Sequence, residues 1–363
     1  LLERHIPQGI IDAMNLARCE LTVRINSIVY QQSLSFSHFY SSGIHTNHGI
    51  YSTLYSFPAI MKRNAMKGSV IPVYSGLPTV LQENGYCNLF FMTHESQYDN
   101  MNAFLRTNGF DEIYAQENYP SEKVVNSFGV QDDFMYQYAL PILNERAGTG
   151  NPFFSVLLSI SNHPPYVIPP YFHPHSDVLE EQIVEYADWS IRQFMQAAEK
   201  QPWFDNTIFV FLGDHGKMVG TPECEMPQSY NHIPLMIYGK DIKPGVYDGF
   251  GGQVDVSPTL LGLLNISYLQ NNFGVNLLEE ERPCMFFTAD NLIGARDSVN
   301  MFIYSPDSQQ EFKYKLEEGK LHAATGTDEE AFRNLKDYCF SMLQSTESLV
   351  KEHKTLDKVS VKK

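Results

Sequence analysis

The side chains best suited to chemistry lie in a short turn after an apolar run. Residues 207–212 read Thr-Ile-Phe-Val-Phe-Leu, as expected of a strand buried on both faces, and Gly213, Asp214, His215 and Gly216 follow directly. In open α/β sheets, ligands bind just outside the carboxyl ends of strands. An adjacent aspartate and histidine offer one hard oxygen and one imidazole nitrogen to a divalent cation. The residues alone leave open a second interpretation, in which Asp214 caps the turn and His215 merely follows it.

A second candidate is Thr46, in the segment Ser-Ser-Gly-Ile-His-Thr-Asn-His-Gly-Ile (41–50). The next residues have the pattern of a short helix, so Thr46 would lie in the positive field of a helix N-terminus, where phosphate binds. A metal bound to its oxygen would make this weak nucleophile competent, and His45 and His48 would then not be needed as bases. The residues alone favour an ordinary N-cap role for Thr46.

These side chains need a scaffold, and the chain shows apolar runs alternating with amphipathic stretches. This pattern indicates a mainly parallel sheet covered by helices on both faces. We predict strands at 87–92, 153–160, 207–212 and 234–238, and helices at 97–107, 133–144 and 177–200. Shorter runs at 285–288, 299–304, 311–316 and 321–324 predict an antiparallel subdomain, closed by a helix from about residue 328. The sequence thus predicts an α/β fold, a three-layer α/β/α sandwich over 1–270, with a small subdomain over 271–350 and a charged tail over 351–363.

Composition narrows the class of protein. The chain has 363 residues, 43% of them hydrophobic, which is enough for a large core. A formal net charge of −16 without any basic stripe argues against general nucleic-acid binding. No apolar run approaches the roughly 20 residues of a membrane helix, and residues 1–15 lack the apolar centre of a signal peptide. We therefore expect a fragment of a longer protein. The cysteines are too dispersed to indicate a zinc knuckle or a dense disulfide framework: Cys19, Cys87, Cys224, Cys284 and Cys339.

Five segments, taken in order, resemble the lipoteichoic acid synthase family, a sulfatase-like branch of the alkaline phosphatase superfamily. They are His-Thr-Asn-His-Gly-Ile (45–50), Ser-Asn-His-Pro-Pro-Tyr (161–166), Leu-Gly-Asp-His-Gly-Lys (212–217), Tyr-Asn-His-Ile-Pro-Leu (230–235) and Gln-Val-Asp-Val-Ser-Pro-Thr-Leu-Leu (253–261). The resemblance covers roughly residues 20–305. It implies a phosphoglycerol transferase working by double displacement. Thr46 would attack the phosphodiester of a lipid and hold a covalent phosphoglycerol group. Asp214 and His215 would bind a divalent metal, most commonly manganese in this family, with magnesium or zinc as alternatives.

The resemblance also implies a further metal ligand near the start of the chain. Family members have a Glu-Ser pair some 40 to 45 residues before the threonine, and Glu3 lies 43 positions before Thr46. Arg4 stands where the serine is usual. The hypothesis that Glu3 completes the metal site therefore rests on spacing and resemblance alone.

Four further residues are assigned to substrate binding, three histidines by resemblance and Lys217 by its position directly after Asp214 and His215. His163 corresponds to a histidine that binds the substrate phosphate, and His232 to one that approaches it. His94 lies where the family grips glycerol phosphate, and Lys217 would offset phosphate charge. Three of them also have an interpretation without a functional role: His163 as a turn histidine beside two prolines, His94 as a solvated loop residue and Lys217 as a surface lysine. Asp255 is interpreted as structural or as a helix cap.

The implied partners are a phospholipid head group and a hydroxyl acceptor on a lipid or glycan. Family members usually hold this domain outside the cytoplasmic membrane through N-terminal membrane helices. Three alternatives remain. A phosphoethanolamine transferase or phosphodiesterase would use the same site, whereas a sulfatase would need Cys or Ser in a C/S-x-P-x-R motif to form formylglycine, which Thr46 cannot provide. The third alternative is an inactive, truncated homologue that only binds.

Overall fold

The structure is a computed structural model and describes residues 32–68, 70–218, 221–317, 319–324, 329–352 and 354–355. In this part of the chain, the larger body contains nine strands and the C-terminal region five more. The strands of the larger body are β1 (Ser33–Tyr40), β2 (Cys87–Met92), β3 (Glu112–Tyr114), β4 (Val124–Asn126), β5 (Gly129–Val130), β6 (Phe153–Leu158), β7 (Phe209–Leu212), β8 (Leu235–Tyr238) and β9 (Gly245–Gly252). The helices are α1 (Thr46–Tyr55), α2 (Leu77–Glu83), α3 (Met101–Thr107), α4 (Asp132–Gly148), α5 (Leu179–Ala198), α6 (Gln228–Asn231), α7 (Val256–Leu263) and α8 (Glu329–Lys351).

Two groups of strands form the sheet structure of the larger body, in the orders β7-β8-β1-β9 and β3-β2-β6. β2 is parallel to both of its neighbours, and β1 is parallel to β9. β8 runs antiparallel to β1 and to β7, so the strand predicted at 234–238 exists but reverses direction. The predicted mainly parallel sheet is confirmed, with β8 as an antiparallel member.

Strand β2 shows why the body has three layers. Phe90 and Met92 point to one face and pack in a cluster with residues of α1 and α3. Leu89 and Phe91 point to the other face and pack with residues of α4 and α5. Side chains alternate across a strand, so an uninterrupted apolar run serves both faces at once. All four are fully buried, which confirms the predicted α/β/α sandwich.

The C-terminal region is an antiparallel sheet in the order β10-β11-β12-β13-β14. Its strands are β10 (Met285–Thr288), β11 (Ile293–Arg296), β12 (Asn300–Ser305), β13 (Gln310–Glu317) and β14 (Lys320–Ala323). α8 covers one face of this sheet through Phe332, Leu335 and Cys339, all buried against Phe286 and Phe302. The predicted separate antiparallel subdomain is therefore confirmed.

The end of the described chain returns to the larger body. Val350 of α8 lies in the same apolar cluster as α1 and α3. Beyond the helix, the Thr355 hydroxyl donates to the Val73 carbonyl, and Ser75 N–H donates to the Thr355 carbonyl. Thr355 is 1% exposed. Within the tail predicted at 351–363, this residue is therefore packed against the body.

One predicted helix begins later than expected. The amphipathic pattern predicted a helix over 97–107, but α3 begins at Met101. Asp99 and Asn100 have positive φ angles of 52° and 64°, and two successive left-handed residues cannot continue a right-handed helix. None of the helices in the described part of the chain has the length and apolar character that a membrane crossing requires.

Candidate active site

The two candidate reactive segments meet at the carboxyl ends of β1 and β7. Thr46 is the first residue of α1, and its Oγ1 donates a hydrogen bond to Asp214 Oδ2 over 2.7 Å. The N-cap of α1 is His45, whose backbone is extended and whose side chain makes no capping bond. The first turn of a helix has N–H groups without intrahelical acceptors, and the helix dipole is positive there. Thr46 therefore lies where a phosphate oxygen is stabilised.

Close packing holds α1 against the turn that carries Asp214. A Cβ atom on Gly49 would lie 2.3 Å from the backbone carbonyl oxygen of Asp214, so only glycine permits this approach. A Cβ atom on Gly216 would lie 2.0 Å from the Ser229 carbonyl oxygen on the other side. The two glycines allow the turn to fit between α1 and α6.

A hydrogen bond to the Gly216 carbonyl decides which ring nitrogen of His215 carries a lone pair. Its Nδ1 lies 2.7 Å from the Gly216 carbonyl oxygen, which can only accept, so Nδ1 carries the hydrogen. In the neutral ring, Nε2 then presents a lone pair, 3.6 Å from Asp214 Oδ2. Two electron-pair donors facing each other suit a cation, and a backbone carbonyl on the second ring nitrogen is the usual support for a ligating histidine.

The described residues supply only part of a metal site. Among them, no three His, Cys, Asp or Glu side chains gather closely enough to hold a metal ion. Asp214 and His215 offer two ligands, and the Thr46 hydroxyl oxygen offers a third. The predicted ligand Glu3 lies outside the described residues. The donor set present is of the type that divalent manganese, magnesium or zinc accepts, and it needs at least one more ligand.

Gln253 connects the two halves of the site, and the sequence analysis missed it. Its side chain is fully buried, and its Nε2 donates to the carbonyls of Gly213 and Asp214 over 3.1 and 2.7 Å. Its Oε1 accepts from Ser42 N–H over 3.0 Å, in the loop leading to Thr46. One amide thus fixes the turn of Asp214 and His215, called the metal turn after its predicted role, relative to the loop that precedes Thr46. One indirect signal was present, since Gln253 begins one of the five segments that resemble the family, but nothing in the sequence indicated these contacts.

Asp255, two residues later, has the structural role that was predicted. It is 0% exposed and accepts two hydrogen bonds from Arg282, including Arg282 Nε to Asp255 Oδ2 over 2.7 Å. It also accepts from the backbone N–H groups of Gly252 and Val275. Arg282 donates further to the Tyr338 hydroxyl of α8.

His163 lies in the turn after β6, which a buried carboxylate holds in place. Asp132, at the start of α4, accepts from the backbone N–H groups of Ile160 and Ser161 over 2.9 and 3.2 Å. Burial raises the pKa of Asp132 to about 6. The His163 ring is exposed and packs on Phe128 with ring centres 4.2 Å apart.

Lys217 joins this turn to the metal turn. Its Nζ donates to the Tyr166 hydroxyl over 2.9 Å and lies 5.4 Å from the centre of that ring. The same lysine follows Asp214 by three residues. Two of the predicted substrate-binding residues, His163 and Lys217, therefore belong to turns that contact each other.

His94 is buried rather than solvated. Only 2% of it is exposed, and its Nδ1 donates to the Glu95 carbonyl over 2.9 Å. Burial lowers its pKa, so the ring is neutral and Nε2 carries a lone pair. Within the described residues this Nε2 has no hydrogen-bond partner. A buried unpaired acceptor is costly, which suits a polar group that a ligand satisfies.

His232 is held by the backbone of β1. Its Nε2 donates to the Ser37 carbonyl over 2.9 Å, and its ring stacks on Tyr40 at 5.1 Å. This hydrogen bond commits Nε2 to the protein. The predicted contact between His232 and a substrate phosphate stays a prediction.

The histidines on either side of Thr46 are placed differently. His48 is 5% exposed, and burial, followed by the nearby His45, lowers its pKa to about 4. His45 is partly exposed, and its Nε2 lies 2.6 Å from Asp290 Oδ1, in the turn between β10 and β11. The C-terminal sheet thus contributes a carboxylate next to the nucleophile, which the sequence did not indicate.

The sequence of this chain matches one protein family and is similar to several bacterial enzymes. The family model described as Sulfatase matches residues 15–266. Lipoteichoic acid synthase 1 of Bacillus subtilis is 24% identical over 68% of this chain and 42% of its own length. Phosphoglycerol transferase I of Xanthomonas campestris is 25% identical over 66% of this chain and 36% of its own. The chain spans less than half the length of these curated relatives.

Solved structures show the same architecture. An alkaline phosphatase superfamily protein from Vibrio parahaemolyticus superposes with a TM-score of 0.82 at 25% identity, over 91% of this chain and 81% of that one. The lipoteichoic acid synthase LtaP from Listeria monocytogenes superposes with a TM-score of 0.78 at 21% identity, over 91% and 86%. At 21% identity, the similarity to LtaP shows a shared fold and nothing more specific.

Proposed function

Because the chain belongs to the sulfatase family, we propose that it is a metal-dependent transferase that moves a phosphoglycerol group from a membrane phospholipid to a hydroxyl acceptor. The observation that carries this proposal is the 2.7 Å hydrogen bond between Thr46 Oγ1 and Asp214 Oδ2. Relatives named lipoteichoic acid synthase and phosphoglycerol transferase support the choice of group. The family resemblance supports a location outside the cytoplasmic membrane.

Thr46 is the proposed nucleophile. Its hydroxyl hydrogen is directed at Asp214 Oδ2, which leaves a lone pair on Oγ1 to face an incoming phosphorus atom. A divalent cation held by Thr46, Asp214, His215 and Glu3, manganese with magnesium or zinc as alternatives, would lower the pKa of the hydroxyl and neutralise phosphate charge. The first turn of α1 adds a positive field for phosphate oxygens.

The proposed reaction has two displacements. The Thr46 hydroxyl loses its proton as Oγ1 forms a bond to phosphorus, the bond from phosphorus to the diacylglycerol oxygen breaks, and that oxygen takes up a proton as diacylglycerol leaves. The acceptor hydroxyl then attacks phosphorus, the bond to Thr46 breaks, and the threonine hydroxyl regains its proton. His163, His232, His94 and Lys217 are proposed to hold the phosphate and glycerol oxygens during both steps.

The decisive experiment replaces Thr46 by alanine. We expect the turnover of a soluble short-chain phosphatidylglycerol to fall at least about a thousandfold, because alanine has no hydroxyl with which to form the covalent ester. Wild-type protein quenched during turnover should carry a phosphoglycerol adduct on the peptide containing Thr46, measured by mass spectrometry. Thr53→Ala, in the same helix and away from Asp214, is the matched control and should keep the adduct.

The same assay separates the head groups. Phosphatidylglycerol and phosphatidylethanolamine are offered to the same protein, and the mass of the adduct reports which group is transferred. An ethanolamine adduct in place of a glycerol adduct would replace the proposed function by that of a phosphoethanolamine transferase. Turnover retained by Thr46→Ala would reject both.

A further inference from the structure

Aromatic side chains border the candidate site. The Phe128 ring lies 4.2 Å from His163 and 6.2 Å from Tyr98, measured between ring centres. Tyr166 lies in the same turn as His163, and its hydroxyl accepts from Lys217. We call Tyr98, Phe128, His163 and Tyr166 the aromatic arc.

Both ends of the aromatic arc are tied to the catalytic segments. At one end, Asp99, next to Tyr98, accepts from Asn47 Nδ2 over 3.0 Å, and Asn47 follows Thr46. At the other end, Lys217 follows Asp214 in the metal turn. The arc is therefore linked by hydrogen bonds to α1 at one end and to the turn that carries Asp214 and His215 at the other.

The hairpin that carries Phe128 is fixed to the body. Gly129 has a φ of +90°, and a Cβ atom there would lie 1.7 Å from the Thr93 carbonyl oxygen. Val130 N–H donates to that same oxygen. Asn126 Nδ2 donates to the Pro165 carbonyl over 3.3 Å, joining the hairpin to the turn of His163. These contacts hold the hairpin, and with it Phe128, in a fixed position relative to the body and to the turn of His163.

Apolar side chains stand exposed along this surface. Tyr98 and Val125 are each 44% exposed, and Met218, next to Lys217, is 50% exposed. The surface mixes rings that have polar tips with aliphatic side chains. Amphipathic aromatic side chains suit the boundary between water and lipid, because the ring contacts lipid while the polar group stays in water. Exposed valine and methionine offer nothing to the hydroxyls of a sugar, which argues for lipid over glycan.

The chemistry of the phospholipid donor also indicates that this surface contacts lipid. This argument rests on the proposed function. In a phospholipid, the reacting phosphorus is esterified directly to diacylglycerol, so it lies in the head-group layer of the bilayer. A nucleophile at the start of α1 reaches it only if the neighbouring loops touch that layer. We propose that the aromatic arc, with Val125 and Met218, is the surface by which this domain docks onto a phospholipid bilayer.

Apolar contact must carry this docking, because charge does not favour it. The chain has a net charge of −16, and Lys67 at one end of the arc is paired with Asp99 at 2.7 Å. Lys217, and Lys123 two residues before Val125, can still face lipid phosphates. Added salt screens repulsion between exposed charges. Binding to anionic vesicles should therefore be retained, or increase, as salt is raised.

The test is sedimentation of the full chain with vesicles of phosphatidylglycerol and phosphatidylcholine. Val125→Ser/Met218→Ser should weaken vesicle binding by about tenfold, because two apolar contacts with lipid are lost. Val246→Ser/Leu269→Ser is the matched control, with 45% and 60% exposure. Val246 pairs with Ser35 near the start of β1, at the end of the sheet away from Thr46. Thermal unfolding confirms that both variants fold.

Three outcomes overturn the docking proposal: a wild-type chain that leaves vesicles unbound, a control variant weakened as much as the test variant, or binding that high salt abolishes. Vesicle binding needs neither metal nor turnover. It can therefore fail while soluble short-chain phosphatidylglycerol is still turned over, and it can succeed while the transferase assay fails. The two proposals are thereby separated.

Discussion

At the scale of single residues, the site depends on atoms that the reaction itself does not use. Thr46, Asp214 and His215 were predicted from their types, order and resemblance, and the structure brings them together. Gln253 was missed because a glutamine carries no chemical signature of its own. Its role comes from three backbone groups that meet only in the folded chain, and no spacing in the sequence reveals such a meeting.

Replacing Gln253 by leucine should weaken metal binding. The change leaves the Ser42 N–H and the Gly213 and Asp214 carbonyls without partners, at about 1–3 kcal/mol for each buried group. The metal turn should then shift, and manganese affinity measured by calorimetry should fall roughly 10- to 100-fold.

Ser257→Ala is the control for that prediction. Ser257 is 1% exposed, and its hydroxyl donates to the Thr53 and Leu54 carbonyls, away from the metal turn. This variant should lose stability and keep its manganese affinity. Equal losses of affinity in both variants would reduce Gln253 to a general core residue.

At the scale of elements, strands and helices with long apolar runs or a clear apolar face were predicted correctly. Strands that mix apolar residues with serine or glycine were missed. β2 occupies the predicted range, and α4 and α5 were predicted to within a few residues of their ends, because a continuous apolar run or a clear helical face fits a single structure. β1 was missed because Ser33, Ser35 and Ser37 are buried along with its apolar residues. β9 was missed because it contains several glycines, which are uncommon in strands. The antiparallel direction of β8 depends on tertiary pairing, which the run itself does not encode.

The contact between α1 and the metal turn gives a prediction at this scale. Glycine to alanine in an open helix stabilises by about 1 kcal/mol. At Gly49, however, the new Cβ would lie 2.3 Å from a backbone oxygen that a side-chain rotation cannot move. Overpacking of this kind costs about 1–3 kcal/mol, so it outweighs the gain. We expect Gly49→Ala to unfold at lower temperature and to lose transferase turnover.

Gly148→Ala provides the comparison. Gly148 ends α4, and a Cβ atom there would meet nothing within 4 Å. Its unfolding temperature should stay the same or rise, and its turnover should stay unchanged. If the two variants behaved alike in thermal unfolding and turnover, close packing at Gly49 would not govern the site.

At the scale of the whole molecule, a buried ion pair between Asp255 and Arg282 links the larger body to the C-terminal region. Asp255 lies two residues after Gln253, and its partner Arg282 also binds the Tyr338 hydroxyl of α8 over 3.3 Å. The sheets of the larger body and of the C-terminal region lie on either side of residue 270 in the sequence, while the domain boundary itself stays a prediction. The sequence pattern did not show that α8 packs on both of them, because that depends on where a helix that begins only at Glu329 comes to lie.

Removing one partner of this pair should destabilise the entire chain. Arg282→Met leaves the Asp255 carboxylate buried without a counter-charge, which typically costs about 3–5 kcal/mol. Urea unfolding should show this loss with an unchanged slope against urea concentration. Lys240→Met breaks an exposed pair with Asp205 and should leave the midpoint nearly where it was. A midpoint for Arg282→Met that matches the Lys240→Met midpoint would show that the two bodies are stabilised independently.

The return of the chain end to the larger body limits how this protein can be shortened. Val350 packs in the apolar cluster that includes residues of α1, and Thr355 is hydrogen-bonded to the loop at 73–75. A chain cut after β14 would keep every residue proposed to touch substrate. It would nevertheless open the core behind Thr46 and remove the Tyr338 hydroxyl from Arg282. A minimal catalytic unit therefore has to extend through residue 355, far beyond the last residue with a proposed chemical role.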